Sequence, residues 1–258
     1  MYLIDTHNHL FLEQFDEDRT QVLAEAIEAG VEKIILPNVD LTTLNQLIET
    51  WRLNSKMLFV AAGLHPTSVK EGFTNEIDEI FSVVDSQNIP LKAIGEIGID
   101  LYWDKTFLKL QIEAFRYQME IARERKLPII IHARDSFSEI FSVLDNFDLN
   151  GIKGVFHSFT GGKHEAAQIL DYGCFKVGIG GIVTFKNSGL DKTVSNIDPK
   201  HIVLETDSPY LAPTPYRGKR NEPKYTLNVA QKLSEIWAMP LEEVARITSE
   251  NAEKLFDI

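Results

Sequence analysis

The sequence has little of what marks a secreted, membrane-bound or nucleic-acid-coating protein. It has one cysteine, Cys174, in 258 residues, so no disulfide can form within the chain and a cytoplasmic location is expected. No apolar run approaches the length of a membrane span, and Met1 leads directly into an apolar strand, so neither a membrane anchor nor a signal peptide is expected. The formal net charge of −12 argues against coating of nucleic acid by the whole surface, but it leaves room for a local basic site.

The overall composition is that of a globular protein with a full core. Hydrophobic residues make up 44% of the chain and charged residues 25%. No linker rich in proline, glycine and serine divides it, which favours a single domain over residues 1–258. We expect a monomer, because no feature of the sequence indicates an obligate protein partner.

Short β-rich runs alternate with helical patterns along the whole chain. The predicted strands are Tyr2–Asp5, Lys33–Pro37, Leu58–Gly63, Lys92–Glu96, Pro128–His132, Lys153–His157, Cys174–Gly178 and His201–Asp207. The clearest helical stripe consists of Leu108, Ile112, Phe115, Met119 and Ala122. Eight β units alternating with helices predict an α/β fold, a single (β/α)8 TIM barrel. The alternative is a doubly wound open sheet, which is disfavoured because no G-x-G-x-x-G follows the first strand.

Histidines and carboxylates gather at the carboxyl ends of these predicted strands. They are His7, His9, His65, Glu96, His132, His157 and Asp207. The H-x-H pair in "DTHNHL" alone is equally compatible with a metal site and with an ordinary polar strand end. Because strand ends of a barrel meet at one mouth, the whole set predicts a metal or catalytic site there.

The residue types in this set constrain the metal chemistry. Nitrogen and carboxylate ligands without a thiolate suit zinc or manganese, with magnesium also possible. Six candidate ligands are too many for one catalytic ion that keeps an open position. They suit two divalent cations per chain that share a bridging carboxylate, for which Glu96 is the natural choice. Such a pair activates a shared water and stabilises an in-line displacement.

The motifs "DTHNHL", "GLHP", "GEIGID", "HARD", "HSFTG" and "ETDSPYLAP" occur in this order. Together they resemble the TatD family of metal-dependent hydrolases, in the amidohydrolase superfamily, and the likeness covers the whole chain. The resemblance implies a barrel with two metal ions and deoxyribonuclease activity of the exonuclease type. Its implied metal ligands are His7, His9, Glu96, His132, His157 and Asp207. It also implies that Asp207 accepts a proton from the attacking water, while Glu205 is expected to orient a ligand.

Several residues near the strand ends are candidates for binding an anionic substrate. We expect His65 to hydrogen-bond the scissile phosphate and Arg134 to bind a phosphate. The loop "YRGKRNEPK" after the last strand adds Arg217, Lys219 and Arg220, which indicates DNA as the substrate. Exposed aromatic residues in these loops, such as Tyr102 and Trp103, are candidates for stacking on bases.

Two other functions remain open from the sequence. The same metal site is compatible with an amidohydrolase or lactonase-type hydrolase of small molecules, against which the basic loop argues. A protein that holds metal ions without turnover is disfavoured because the ligands and the expected base are all present.

Overall fold

Eight parallel strands form one sheet in a computed structural model that describes all residues from 1 to 258. Each strand pairs with the next one along the chain. The strands are β1 Leu3–Asp5, β2 Val31–Pro37, β3 Leu58–Ala62, β4 Leu91–Asp100, β5 Ile129–Arg134, β6 Gly154–Phe156, β7 Phe175–Ile179 and β8 Ile202–Leu204.

Helices connect the strands and cover the outside of the sheet. They are α1 Arg19–Glu28, α2 Leu41–Leu53, α3 Phe73–Ser86, α4 Leu108–Arg125, α5 Phe137–Asp145, α6 Lys163–Asp171, α7 Leu190–Val194, α8 Thr226–Trp237 and α9 Leu241–Phe256. None of them combines the length and the apolar composition needed to cross a lipid bilayer.

The first and last strands meet and nearly close the sheet. Thr6 N donates to Leu204 O at 3.0 Å, and beyond the strand ends Asp207 N donates to His7 O at 2.9 Å. His9 N donates to Ser208 O at 2.8 Å. The predicted (β/α)8 TIM barrel is therefore confirmed, and its closing contacts run through the two segments that carry His7, His9 and Asp207.

Alternation of side chains along the strands separates two layers of apolar packing. The inner cluster takes one residue from each of seven strands, namely Ile4, Ile35, Ala61, Ala93, Ile130, Val155 and Val203, together with Ala252, Leu255 and Phe256 of α9. The outer cluster of 58 buried residues lies between the strands and the helices. The barrel interior is filled by side chains, as expected for eight strands, so a site can form only at an end.

Two strand boundaries differ from the sequence prediction in ways that affect the site. The fourth strand continues past Glu96 to Asp100, because Gly98 and Asp100 pair with His132 and Arg134 of β5. The eighth strand ends at Leu204, before the carboxylates that follow it. Glu96 therefore projects from within a strand, whereas Asp207 lies on a connecting segment with a left-handed φ of 59°.

Candidate metal centre

The structure brings all seven residues of the predicted site together at the carboxyl end of the barrel. His7 and His9 follow β1, His65 follows β3, Glu96 lies in β4 and His132 in β5. His157 follows β6 and Asp207 follows β8. Their side-chain nitrogen and oxygen atoms form two overlapping groups around the Glu96 carboxylate.

The first group surrounds Glu96 Oε2. His7 Nε2 and His9 Nε2 lie 3.2 Å apart, and they are 3.1 Å and 3.7 Å from Glu96 Oε2. Asp207 Oδ1 lies 3.8 Å from His7 Nε2 and 3.5 Å from His9 Nε2. Two nitrogens bound tetrahedrally to one zinc ion are separated by about 3.3 Å, given metal–nitrogen bonds near ~2.0 Å. The donors of this group therefore have the spacing of ligands that share a cation.

The second group surrounds the other oxygen, Glu96 Oε1. His132 Nδ1 is 2.6 Å from it and His157 Nε2 is 2.7 Å from it. The rings of His157 and His7 are stacked with centroids 3.7 Å apart, so the two groups are in direct contact. Glu96 thus presents one oxygen to each group.

His65 lies at the edge of the second group. Its Nε2 is 3.3 Å from His132 Nδ1 and 3.4 Å from Glu96 Oε1. The backbone N–H of Thr67 donates to His65 Nδ1 at 3.1 Å, so Nδ1 is the acceptor nitrogen of the ring. In the neutral ring the hydrogen is therefore on Nε2, which points to the centre as a donor and not as a ligand.

The charges at the centre fit divalent cations. Burial opposes ionisation of Glu96, but the positive charges of the surrounding histidines outweigh it and hold the pKa of Glu96 well below its usual value. Burial and the neighbouring His157 lower the pKa of His7 to about 3, so its imidazole is neutral and able to bind a metal. Burial also opposes a charge on His157, but Glu96 and Glu205 raise its pKa well above the usual value. A proton on His157 thus supplies positive charge that a bound cation would replace.

Buried polar atoms without partners also fit a site for cations. The Nδ1 atoms of His7, His9 and His157 are buried without a hydrogen-bond partner, as is Glu205 Oε2. Buried polar groups normally have partners. Three groups of histidine and carboxylate donors have the spacing needed to hold an ion: His7, His9 and Asp207; His7, His157 and Glu205; and His65, Glu96 and His132.

Asp100 is a functional residue that the sequence analysis missed. Its Oδ2 accepts from His132 Nε2 at 2.8 Å, which turns His132 Nδ1 toward Glu96. Its Oδ1 accepts from the backbone N–H of Tyr102 at 3.0 Å. Gln111 of α4 holds the backbone of Asp100, accepting from its N–H at 2.9 Å and donating to its carbonyl at 3.2 Å. Asp100 therefore orients a metal-binding histidine, as carboxylates near metal centres commonly do.

Asp5 was also missed, and it joins the segments after β1 and β8. Its carboxylate accepts from Thr206 N at 2.9 Å, Thr206 Oγ1 at 2.6 Å and Asn8 Nδ2 at 2.9 Å. Burial outweighs these hydrogen bonds and raises the pKa of Asp5 to about 7. An acidic residue inside the first apolar strand was the available signal, because such a residue is rarely buried without a specific partner.

Exposure separates the carboxylates that can reach solvent from those that cannot. The Asp207 side chain is 14% exposed, against 3% for Glu96 and 1% for Glu205. Glu205 accepts a short hydrogen bond from the backbone N–H of Ser158 and lies 3.6 Å from His157 Nδ1. Asp207 is therefore placed to meet a water molecule, and Glu205 is placed to orient His157, the role expected from the sequence.

The predicted substrate-binding residues fall into two kinds. Arg134, Arg217 and Lys219 are exposed and have no carboxylate partner. The Arg134 guanidinium lies over the Tyr102 ring, 3.8 Å from its centroid, and that of Arg217 lies 4.1 Å from the Phe185 centroid.

Arg220 differs from the other residues of its loop. It donates to both carboxylate oxygens of Asp18, at 2.9 Å and 2.6 Å, and to Glu222 at 3.1 Å. The prediction that Arg220 binds substrate would require these ion pairs to break. The structure instead gives Arg220 the position of a residue that fixes the loop to the start of α1.

Comparison with known proteins agrees with the fold and the donor set. The family model described as "TatD related DNase" matches residues 4–257. An uncharacterized metal-dependent hydrolase of Bacillus subtilis, YabD, is 37% identical over 257 residues, covering 99% of both chains. A second, YcfH of Escherichia coli, is 30% identical and covers 100% of this chain and 97% of its own.

A solved structure of similar shape supports the same assignment. The crystal structure of YJJV, a TatD homologue of Escherichia coli, superposes with a TM-score of 0.91 at 28% identity, covering 99% of this chain and 98% of that one. The match extends over both the strands and the connecting segments that carry the donors. The chain therefore belongs to the TatD family and is a metal-dependent hydrolase.

Proposed function

We propose that this protein hydrolyses phosphodiester bonds of DNA from a strand end, using two divalent cations bridged by Glu96. The observation that carries the proposal is the division of the Glu96 carboxylate. Its Oε2 faces the nitrogens of His7 and His9, while its Oε1 faces His132 and His157. Each oxygen has its own set of ligands, which is the arrangement that a pair of ions requires.

The cations would supply Lewis acidity and a water molecule of lowered pKa. His7, His9, Glu96 and Asp207 would hold one ion, and Glu96, His132 and His157 the other. Asp207 is the proton acceptor, because burial is outweighed by the neighbouring histidines and its pKa stays below the usual value. At neutral pH it is a carboxylate with solvent access, able to take a proton from the attacking water.

His65 is the donor that would orient the phosphate. Because Thr67 N donates to its Nδ1, the ring offers an Nε2–H toward the centre. A phosphate oxygen at the metal centre would accept this hydrogen bond. Burial lowers the pKa of His65, so the ring is neutral and keeps this tautomer near pH 7.

The distribution of basic residues supports a polymeric anion as the substrate. Seven basic side chains follow strand ends, are exposed and have no carboxylate within ion-pair distance: Lys70, Lys105, Arg134, Lys163, Lys186, Arg217 and Lys219. Unpaired positive charges at one face of an acidic protein favour association with a nucleic-acid backbone. The description of the matching family as a DNase points the same way.

The test is hydrolysis of end-labelled single- and double-stranded oligonucleotides with magnesium, manganese or zinc added to metal-free protein. We expect stepwise shortening from an end that depends on the cation. A parallel panel of lactones, esters and amides tests the alternative chemistry. Turnover of those substrates without hydrolysis of any phosphodiester would overturn the proposal and leave a small-molecule hydrolase.

A further inference from the structure

A cavity beside the metal centre has walls that suit an uncharged ring system. It has a volume of about 410 Å³ and lies between the segment after β3, the start of α2 and the loop after β4. This volume falls within the range of about 300–1,000 Å³ that is usual for small-molecule sites. We call it the Trp103 pocket; its walls include Pro66, Val69, Trp103, Phe107 and Gln111.

The Trp103 pocket is fixed in position relative to the metal centre by Asp100. This carboxylate lines the cavity, accepts from His132 Nε2 and accepts from the backbone N–H of Tyr102 in the loop that carries Trp103. Pro66 of the opposite wall follows His65 directly. A ligand with one group at the metals and its neighbouring group in the pocket would therefore be a single, short molecule or a chain end.

Trp103 provides a planar apolar surface that the protein itself leaves open. It is 71% exposed, although tryptophan is usually largely buried. Its ring meets Tyr102 edge to face, with centroids 4.9 Å apart, and the Arg134 guanidinium lies 5.4 Å from its centroid. Aromatic rings supported in this way are the platforms on which nucleic-acid-binding proteins stack bases.

The charge of the walls determines which part of a nucleotide fits. The cavity is lined by four carboxylates, Asp40, Glu76, Asp100 and Asp104, against one lysine, Lys70. A phosphate would be repelled there, whereas an uncharged base and sugar with amino and hydroxyl donors would not. The metal centre next to it has the opposite preference once cations are bound.

We propose that the Trp103 pocket binds the terminal nucleoside of the strand, which bears a free hydroxyl, while the adjacent phosphodiester lies at the metal centre. The proposal rests on the proposed function and adds to it a preference for ends without a terminal phosphate. Trp103 stacks on the base, and the acidic walls reject a phosphorylated end.

The first test compares thymidine 5′-(p-nitrophenyl phosphate) and its 3′ isomer with methyl p-nitrophenyl phosphate, which has the same leaving group. The ratio of kcat/KM for the better nucleoside ester to that for the methyl ester measures the contribution of the pocket. Trp103→Ala should lower this ratio about tenfold to a hundredfold, the effect of removing one stacked base. Trp103→Phe keeps an aromatic face and should retain most of the ratio.

The second test addresses the charge of the walls with oligonucleotides that end in hydroxyl or phosphate. The unmodified protein should prefer hydroxyl ends. Replacing Asp104 by Asn and Glu76 by Gln keeps their hydrogen-bond acceptors and should narrow the preference by about threefold per charge, as expected for unit charges ~7 Å apart in water. Asp148→Asn, an exposed carboxylate on the loop after α5, is the matched control and should not change it.

The third test measures binding without turnover. Adenosine should quench tryptophan fluorescence in the unmodified protein but not in Trp103→Phe, which keeps Trp51 and Trp237. Quenching without hydrolysis of any diester would overturn the proposed function and leave the pocket standing. Diester hydrolysis without quenching, and with the same ratio in Trp103→Ala, would overturn the pocket alone. Absence of both would overturn both.

Discussion

Replacing Asp100 by Asn should weaken metal binding although Asp100 is not expected to touch an ion. Each of its oxygens accepts from a different donor: Oδ2 from His132 Nε2 at 2.8 Å and Oδ1 from Tyr102 N at 3.0 Å. An amide has one acceptor oxygen, so one of its two positions would present an N–H₂ group to a donor. If that donor is His132 Nε2–H, the ring favours the other tautomer, and the hydrogen moves to the Nδ1 that faces Glu96.

The expected loss follows from the role of such orienting carboxylates. Removing one typically costs about tenfold to a hundredfold in metal affinity, or about 1.4–2.8 kcal/mol. The measurement is calorimetric titration of metal-free protein with zinc or manganese. Asp104→Asn is the matched control, because this residue lies in the same loop but accepts only from Thr106. Circular dichroism checks that both variants are folded.

The result that would refute this reasoning is equal affinity of Asp100→Asn and the unmodified protein for the ion held by His132. The position of His132 would then depend on the barrel backbone and not on its hydrogen bond. A loss of the same size in Asp104→Asn would assign the effect to disorder of the loop.

Three further predictions concern the base and the basic loop. Asp207→Asn should lower kcat on a phosphodiester by about 10²–10⁴ with an unchanged thermal transition, because an amide cannot accept the proton; retained activity would move the base elsewhere. The double variant Arg217→Ala with Lys219→Ala should reduce the slope of log K against log salt for DNA by about 0.7–0.9 for each phosphate that the variant no longer binds, and an unchanged slope would show that neither side chain binds the DNA backbone. Arg220 lowers the pKa of Asp18 through their hydrogen bond, so this pair stabilises the fold above the unfolded-state value of about 3.9 and the contribution disappears as the pH falls through the folded pKa. Melting temperatures from pH 6 to pH 2.5 should therefore fall less steeply in Arg220→Gln, and parallel curves would contradict the assignment.

The barrel and the convergence of the histidines could be predicted from the sequence because both depend on local signals. Each strand is a short apolar run, and parallel strands of a barrel end at one face. The residues that follow such runs therefore share a site whatever the details of the loops. His7, His65 and His157, from three different strands, were placed together by this reasoning alone.

The residues that orient the ligands could not be predicted in the same way. Asp100 lies four residues beyond Glu96, and only the extension of β4 along β5 places it beside His132. Gln118 of α4 interrupts an apolar stripe, and its function is visible only from its bonds to Leu64, whose N–H donates to it at 2.7 Å. Such pairs are set by packing between elements distant in sequence, which a periodicity does not encode.

The contact between the first and last strands has a consequence for the order in which the protein becomes active during synthesis. Asp5 and Thr206 are 201 residues apart in the chain, yet their hydrogen bonds hold together the segments that carry His7, His9 and Asp207. A nascent chain that has emerged only as far as β7 contains five of the six expected ligands but lacks the expected proton acceptor. Hydrolytic activity thus appears only after the ribosome has released the last part of the sequence, when α9 can also fill the far end of the barrel. Incomplete translation products are thereby kept inactive.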